Sequence, residues 1–203
     1  MPRSFYGRDA EVVAPELLNK LLVAEGRVGR IVEVEAYRGS EDPASHAYRG
    51  PSPRNATMFG PPGHLYVYFS YGVHWCANAV CLPRGTAHAV LLRALAPVAG
   101  IEEMRTARGG TRRDRDLCSG PGRLCQALGI GREHDGVDLV TGVGGVAIRD
   151  DGTAPPAEPG VGPRIGIRQA APLPLRFWVP GEASVSRARP GPRPPRVRSS
   201  PRA

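Results

Sequence analysis

Lysine is almost missing from this chain: Lys20 is the only one, and arginine carries nearly all the positive charge. A GC-rich coding bias produces that imbalance as readily as a demand for bidentate phosphate contacts, so arginine content alone selects no partner. Cysteine is also scarce. Cys76 and Cys81 are separated by four residues and Cys118 and Cys125 by six, which is not the repeated short pairing of a zinc site, and buried free thiols are expected. His64, His74, His88 and His134 show no metal-ligand spacing either, so neither a metal nor an organic cofactor is expected. Long apolar runs are lacking. No window approaches the roughly 20 apolar residues of a membrane span, and the first residues hold no apolar run of leader length. A soluble, cytoplasmic protein is the expectation, nucleoid-associated if bacterial.

The formal charge is +8 over 203 residues, with an isoelectric point near 9.9. Six arginines stand between Arg187 and the end with no acid among them, and removing those six leaves only about +2 on the rest. A polyanionic partner is suggested, but its footprint on the body of the chain must be local. The length suits one catalytic domain. Residues 1–186 are assigned to it, and the Pro/Arg-rich residues 187–203 to a disordered basic tail that acts as an electrostatic tether or as a passive extension.

Residues 15–23 place Leu17, Leu18, Leu21 and Leu22 on one stripe of a short amphipathic helix opening at Pro15. Residues 30–37 (RIVEVEAY) alternate, with Ile31, Glu33, Glu35 and Tyr37 on one face and Val32, Val34 and Ala36 on the other. Residues 65–81 form a second β-rich block interrupted at Ser70-Tyr71-Gly72, which predicts a hairpin with Tyr71 at its tip. Residues 89–95 (AVLLRAL) are a strand broken in character only by Arg93, and residues 105–116 are a charged loop. Ser119 caps a helix that has Pro121 in its first turn and Gly129 at its end. From 130 to 179, short β-like pieces (137–140, 146–148, 165–167, 176–179) divided by Gly and Pro suggest a meander.

Strand statistics alone favour a solvated edge-strand face for Glu33 and Glu35, with a pocketed general base as the alternative. His46 alone would be a capping or loop histidine, and Asn78 an ordinary strand polar residue. Arg93, a lone charge in an apolar strand, needs a partner if buried, and Glu35 or a phosphate are the candidates. Tyr71 has no core to fill, unless it lies back on its own hairpin.

Five blocks decide between these readings. Residues 32–46 (VEVEAYRGSEDPASH), 52–59 (SPRNATMF), 64–78 (HLYVYFSYGVHWCAN), 89–100 (AVLLRALAPVAG) and 117–130 (LCSGPGRLCQALGI) resemble, in order, the blocks of the alkyladenine (3-methyladenine) DNA glycosylase family, the type without a helix-hairpin-helix motif. The resemblance implies roles. Glu35 matches the general base that activates water against C1′. Tyr37, His46 and Tyr68 match the walls that stack on the flipped base, and Tyr71 the side chain that fills the gap it leaves in the duplex. Asn78 matches the residue that crowds a guanine 2-amino group, and Arg93 the cation beside the base and the nucleotide's phosphate. The chain departs from the pattern at Asn19, where the family usually has Gly, and at Val73, where it usually has Met.

From the resemblance, the fold is expected to be α+β, a single compact domain with a curved, mostly antiparallel sheet, flanking helices and a protruding β-hairpin. The implied reaction is monofunctional: an alkylated or deaminated purine is flipped from double-stranded DNA and hydrolysed off, leaving an abasic site. Strand-cleaving lyase chemistry is not expected, because the one lysine sits in the first helix, away from the matched base. The partners expected are damaged DNA and downstream abasic-site processing enzymes, with no membrane, and the enzyme is expected to be a monomer. Two rivals remain open here. One is a carbohydrate glycosidase using Glu33 and Glu35, about 6.5 to 7 Å apart by strand rise, within reach of the inverting geometry. The other is a non-catalytic damaged-DNA-binding module.

Overall fold

The computed structural model describes residues 1–70, 72–110, 113–167 and 169–186. Among these, five short helices and eight strands follow one another as α1 (Arg3–Tyr6), α2 (Ala10–Leu17), β1 (Leu21–Ala24), β2 (Arg27–Arg38), β3 (Leu65–Ser70), β4 (His74–Cys81), β5 (His88–Ala99), α3 (Ile101–Ala107), α4 (Asp114–Leu117), α5 (Pro121–Leu128), β6 (Val146–Arg149), β7 (Gly160–Gly162) and β8 (Arg176–Trp178). Tyr71 and the tail from 187 onward fall outside the described residues.

The strands form one curled sheet in the order β3-β4-β5-β2-β1-β6, with β8 pairing both β2 and β7, and every pairing is antiparallel. The α+β domain expected from the sequence is therefore observed. The β3–β4 hairpin expected from the break at residues 70–72 is present, pairing Leu65 with Ala79 through Ser70 with His74.

Strand β2 is central rather than an edge. β5 covers one side of it, while β1 takes residues 27–30 and β8 takes residues 33–35 on the other. Glu33 and Glu35 are accordingly 0% exposed, which corrects the solvated-edge reading. The strict alternation also fails. Ile31 pairs with Leu95 but Glu33 with Ala94, so Val32 is an extra residue on β2; Val34 then pairs with Leu92, so Arg93 is the extra residue on β5. Each β-bulge shifts the pleat by one residue. Ile31 thereby joins Val34 and Ala36 in the core instead of sharing a face with the glutamates.

One sheet face, carrying Leu65, Val67, Ala77, Ala79, Val90 and Leu92, is buried in the main core. α2 packs on β2 and β5, and α5 on β4 and β5. The stripe Leu124, Ala127 and Leu128 buries α5, whose N-cap is Gly120 rather than Ser119; Pro121 opens it and Gly129 ends it in the left-handed region at φ 72°.

Three other expectations are corrected. The first long helix ends at Leu17, with Pro15 in its last turn instead of its first, and residues 21–24 are strand β1. Asn19 makes the turn between them at φ 67°, a conformation in which Asn and Gly are the residues least penalised. The charged stretch near 105 is not all loop. Met104, 0% exposed, anchors α3, and Glu102 and Glu103 favour its N-terminal turn. The C-terminal pieces form no meander: β6 pairs with β1 and β8 with β2, Asp138 makes only a single bridge to His64, and residues 165–167 are not a strand. Gly and Pro marked the breaks but carried no information on partners far along the chain.

All four cysteines are free and buried. No helix among the described residues is long and apolar enough to cross a membrane.

Candidate active site

Because side chains alternate along each strand, the face opposite the main core collects Glu33, Glu35 and Tyr37 from β2, Tyr66 and Tyr68 from β3, Cys76 and Asn78 from β4, and Leu91 and Arg93 from β5. A cavity of about 850 Å³ opens over this face, within the size range of small-ligand sites. Five of the seven residues singled out in the sequence line it: Tyr37, His46, Tyr68, Asn78 and Arg93. Glu35 lies directly behind them.

The Glu35 carboxylate is completely buried. Its Oε1 accepts the Ile165 backbone N–H at 2.7 Å and lies 3.3 Å from Arg93 Nη1, while Oε2 accepts the Tyr37 hydroxyl at 2.9 Å. Burial raises the Glu35 pKa above the usual carboxylate range; Arg93, the Ile165 amide and the Tyr37 hydroxyl pull against that rise, and Glu33 adds to it. Each carboxylate oxygen offers two acceptor positions. Among the described residues, Oε1 accepts one hydrogen bond and faces the Arg93 ion pair, and Oε2 accepts one.

Arg93 is shared. Its Nε donates to Glu33 Oε1 at 3.2 Å while Nη1 faces Glu35. Glu33 also accepts Arg176 Nε at 2.7 Å, the Ser186 hydroxyl at 2.9 Å and the Ser186 backbone N–H at 2.7 Å. Two carboxylates and two guanidiniums are thus held together under the cavity floor. Arg93, the extra residue on β5, faces both acids, which answers what partners it.

Tyr37 is braced from behind. The Arg164 guanidinium lies over its ring at 4.5 Å and is itself fixed by Asp42, with Nη1 2.5 Å from Oδ2 and Nη2 2.9 Å from Oδ1, and by the Ala36 carbonyl at 2.9 Å. Both charged side chains are 0% exposed. Burial and the neighbouring Glu35 charge push the Tyr37 phenol well above its usual pKa, so it stays a neutral donor.

His46 is exposed at the cavity wall, edge-on to Tyr68 at 4.4 Å, with Nδ1 3.1 Å from the Tyr66 hydroxyl. The protein packed around it, and then the Arg54 charge, lower its pKa, which leaves a neutral ring near pH 7. Its loop is stapled by buried Asn55, whose amide donates to the His46 carbonyl at 2.9 Å and the Gly50 carbonyl at 3.1 Å. Asn78 is buried in the wall with Nδ2 donating to the Tyr66 carbonyl at 3.1 Å.

Sequence reasoning missed Asp42, Asn55, Arg164, Arg176 and Ser186. Asp42 and Asn55 lie inside two of the five blocks, and Arg164 and Arg176 are lone cations beside short apolar pieces, the same signal that drew attention to Arg93. Residues 165–167 line the cavity as irregular chain, which frees the Ile165 N–H for Glu35 instead of a ladder partner. Among the described residues, no three His, Cys, Asp or Glu side chains converge to hold a metal ion.

Comparison with known proteins shows what class of protein carries this cavity: the chain is a DNA glycosylase. The model of one family, Methylpurine-DNA glycosylase (MPG), matches residues 4–183, and the chain belongs to that family. Similar relatives include a protein of Burkholderia lata, 63% identical over 187 residues that cover 92% of this chain and 90% of the relative. Another, from Nitrobacter winogradskyi, is 50% identical over 187 residues covering 92% and 87%, and one from Frankia casuarinae is 50% identical over 202 residues covering 95% and 92%. All three bear the name "Putative 3-methyladenine DNA glycosylase". Damaged DNA is the substrate class that membership implies.

Proposed function

We propose that this enzyme flips alkylated or deaminated purines, among them 3-methyladenine, 7-methylguanine and hypoxanthine, out of duplex DNA and hydrolyses the N-glycosidic bond to leave an abasic site. The observation that carries this reading is a fully buried carboxylate, Glu35, hydrogen-bonded to the Tyr37 hydroxyl of an aromatic cavity wall.

Breaking the bond builds oxocarbenium character on the sugar. Glu35 serves twice, taking a proton from the attacking water at the remaining acceptor position of Oε2 and opposing the charge that grows on C1′. Tyr37 and Tyr68 stack on the extruded base, and their electron-rich faces favour the cationic bases that alkylation produces. Neutral His46 completes the wall without repelling such a base. Asn78, fixed by Tyr66, crowds a guanine 2-amino group, and Arg93 balances Glu35 beside the nucleotide's phosphate. A cationic alkylated base departs neutral as the bond breaks and the water oxygen joins C1′, the water proton passing to Glu35; a neutral base such as hypoxanthine departs as its anion and takes up a proton from water. Lys20 Nζ is held by Asp150 at 2.8 Å and the Thr153 carbonyl at 3.0 Å and is no nucleophile for a lyase step. It precedes β1 rather than sitting in a helix.

A carbohydrate glycosidase would need Glu33 and Glu35 to flank a sugar, but the Glu33 carboxylate is enclosed by Arg93, Arg176 and both donors of Ser186. Incubation with methylated duplex and with oligosaccharides separates the readings. Free methylated purine is expected from the first and no reducing sugar from the second; the reverse would overturn the proposal.

Tyr71 belongs to the connection between paired Ser70 and His74, where Gly72 has φ 66° and Val73 is 73% exposed. We assign it the role of filling the gap in the duplex. A wedge stabilises the extruded state without touching the scissile bond. Base–aromatic stacking of about 1–3 kcal/mol predicts roughly a 5- to 150-fold slower single turnover for Tyr71→Ala on a well-paired lesion. In a bulged substrate most of that loss should vanish. Equal slowing of both duplexes would place Tyr71 in the pocket or the fold instead.

A further inference from the structure

Arg93 has one guanidinium and two carboxylates to serve, and the division between them is set from outside the cavity. Glu33 draws on Arg93 Nε, but it is also supplied by Arg176 and by both donors of Ser186. Arg176 reaches Glu33 from β8 with its guanidinium laid over the Trp178 ring at 4.5 Å, so its position is fixed by packing as well as by charge. None of Glu33, Arg176 and Ser186 lines the cavity.

We infer that Glu33 and Arg176 form a positioning pair: by satisfying or drawing on Arg93, they set how much of its charge is left for Glu35, and so the pH range over which Glu35 works as a base. This rests on the reading of Glu35 as the general base.

The groups facing Glu35 from each packed element are few. Arg93 comes from β5, Glu33 and Tyr37 from its own strand, Tyr68 from β3, Cys76 from β4, and Arg164 with the Ile165 amide from the 163–167 segment; Arg176, the register partner of Glu35 on β8, is turned to Glu33. Burial raises the pKa of Tyr37, Tyr68 and Cys76, which keeps all three neutral. Arg164 is committed to Asp42. The charges left to act on Glu35 are those of Arg93 and Glu33, the second both directly and through its hold on Arg93.

Opposite effects follow for two substitutions. Glu33→Gln removes a negative neighbour and releases Arg93 to Glu35, which favours the charged carboxylate; the acid limb of the single-turnover rate should move down by about one pH unit. The plateau should fall several-fold, because a less basic carboxylate is a weaker proton acceptor. Arg176→Gln leaves Glu33 to lean on Arg93 alone, so Glu35 loses part of its counter-charge and the acid limb should move up by about one unit. Ser186→Ala keeps every charge but removes both one donor to Glu33 and, at 3.4 Å, one acceptor of Arg93 Nη2; the two losses oppose each other, and the limb should move by less than about half a unit. Glu33→Asp, which retains the charge, should restore the limb towards the wild-type position.

The test is the single-turnover rate of base release from one alkylated duplex across pH, for the wild type and these four variants, with Glu35→Gln alongside. Shifts of opposite sign for Glu33→Gln and Arg176→Gln support the inference. If either protein fails to fold, the direction of the other's shift decides in its place. Limbs that stay put, or move together, overturn it while an inactive Glu35→Gln leaves the base assignment standing. A Glu35→Gln enzyme that turns over normally would defeat the base assignment itself.

Discussion

Glu35→Gln is expected to lose base release almost entirely while keeping its fold and its grip on DNA. The amide has the shape of the carboxylate and can still accept the Ile165 N–H, but it cannot take a proton from water or neutralise a cationic sugar. General-base assistance is worth about 10²- to 10⁴-fold, and single-turnover rate on an alkylated duplex should fall within or beyond that range. Binding to an abasic-analogue duplex should stay within about threefold, since Glu35 sits behind the cavity wall and not on its surface. The wild-type rate should decline as pH falls through the pKa that burial has raised, because protonation removes the base. What little activity the variant retains should lack that limb. Retention of a tenth of the wild-type rate would remove Glu35 from the role.

Asp42→Asn should produce the largest loss of stability among the residues around the site. It leaves the Arg164 guanidinium buried against Tyr37 and Ala36 with no counter-charge. Breaking a buried pair by removing one partner costs about 3–5 kcal/mol. For a domain of this size that is a drop in Tm of roughly 6–20 °C. The pH dependence has a definite sign. Burial alone would raise the Asp42 pKa, but the Arg164 fork and the backbone N–H groups of Ala44 and Arg38 outweigh it and hold it below 3.8. A depressed folded-state pKa contributes stability above the unfolded value and loses it as pH falls towards the folded one. The gap between wild type and variant should therefore be full near neutrality and close progressively below pH 3.8. Because Arg164 also braces Tyr37, base release should weaken as well. Equal Tm values at neutral pH would mean that the pair carries no stability.

The two strands of the hairpin, the apolar character of β5 and the amphipathic α5 were legible because each is a local pattern with a fixed period. So were Tyr37, His46, Tyr68, Asn78 and Arg93 as cavity residues, through blocks whose order along the chain is itself a strong constraint. What was not legible depends on neighbours far away in sequence. The burial of Glu33 and Glu35 follows from β8 returning some 140 residues later to cover β2, and nothing within residues 30–37 announces it. The bulges at Val32 and Arg93 are properties of a pairing, not of either strand alone. Leu21 and Leu22 fit a helical stripe as well as a strand, and the short run held no way to choose. Asp42 and Arg164 are separated by over a hundred residues, so their union required the fold.

The most direct test uses one duplex carrying a single 3-methyladenine analogue and the full-length enzyme, with the free base and the DNA strand both analysed after a single turnover. The account predicts free base in a one-to-one ratio with abasic sites, and a strand that stays intact until alkali is added. Absence of free base, or strand cleavage without alkali, would contradict it.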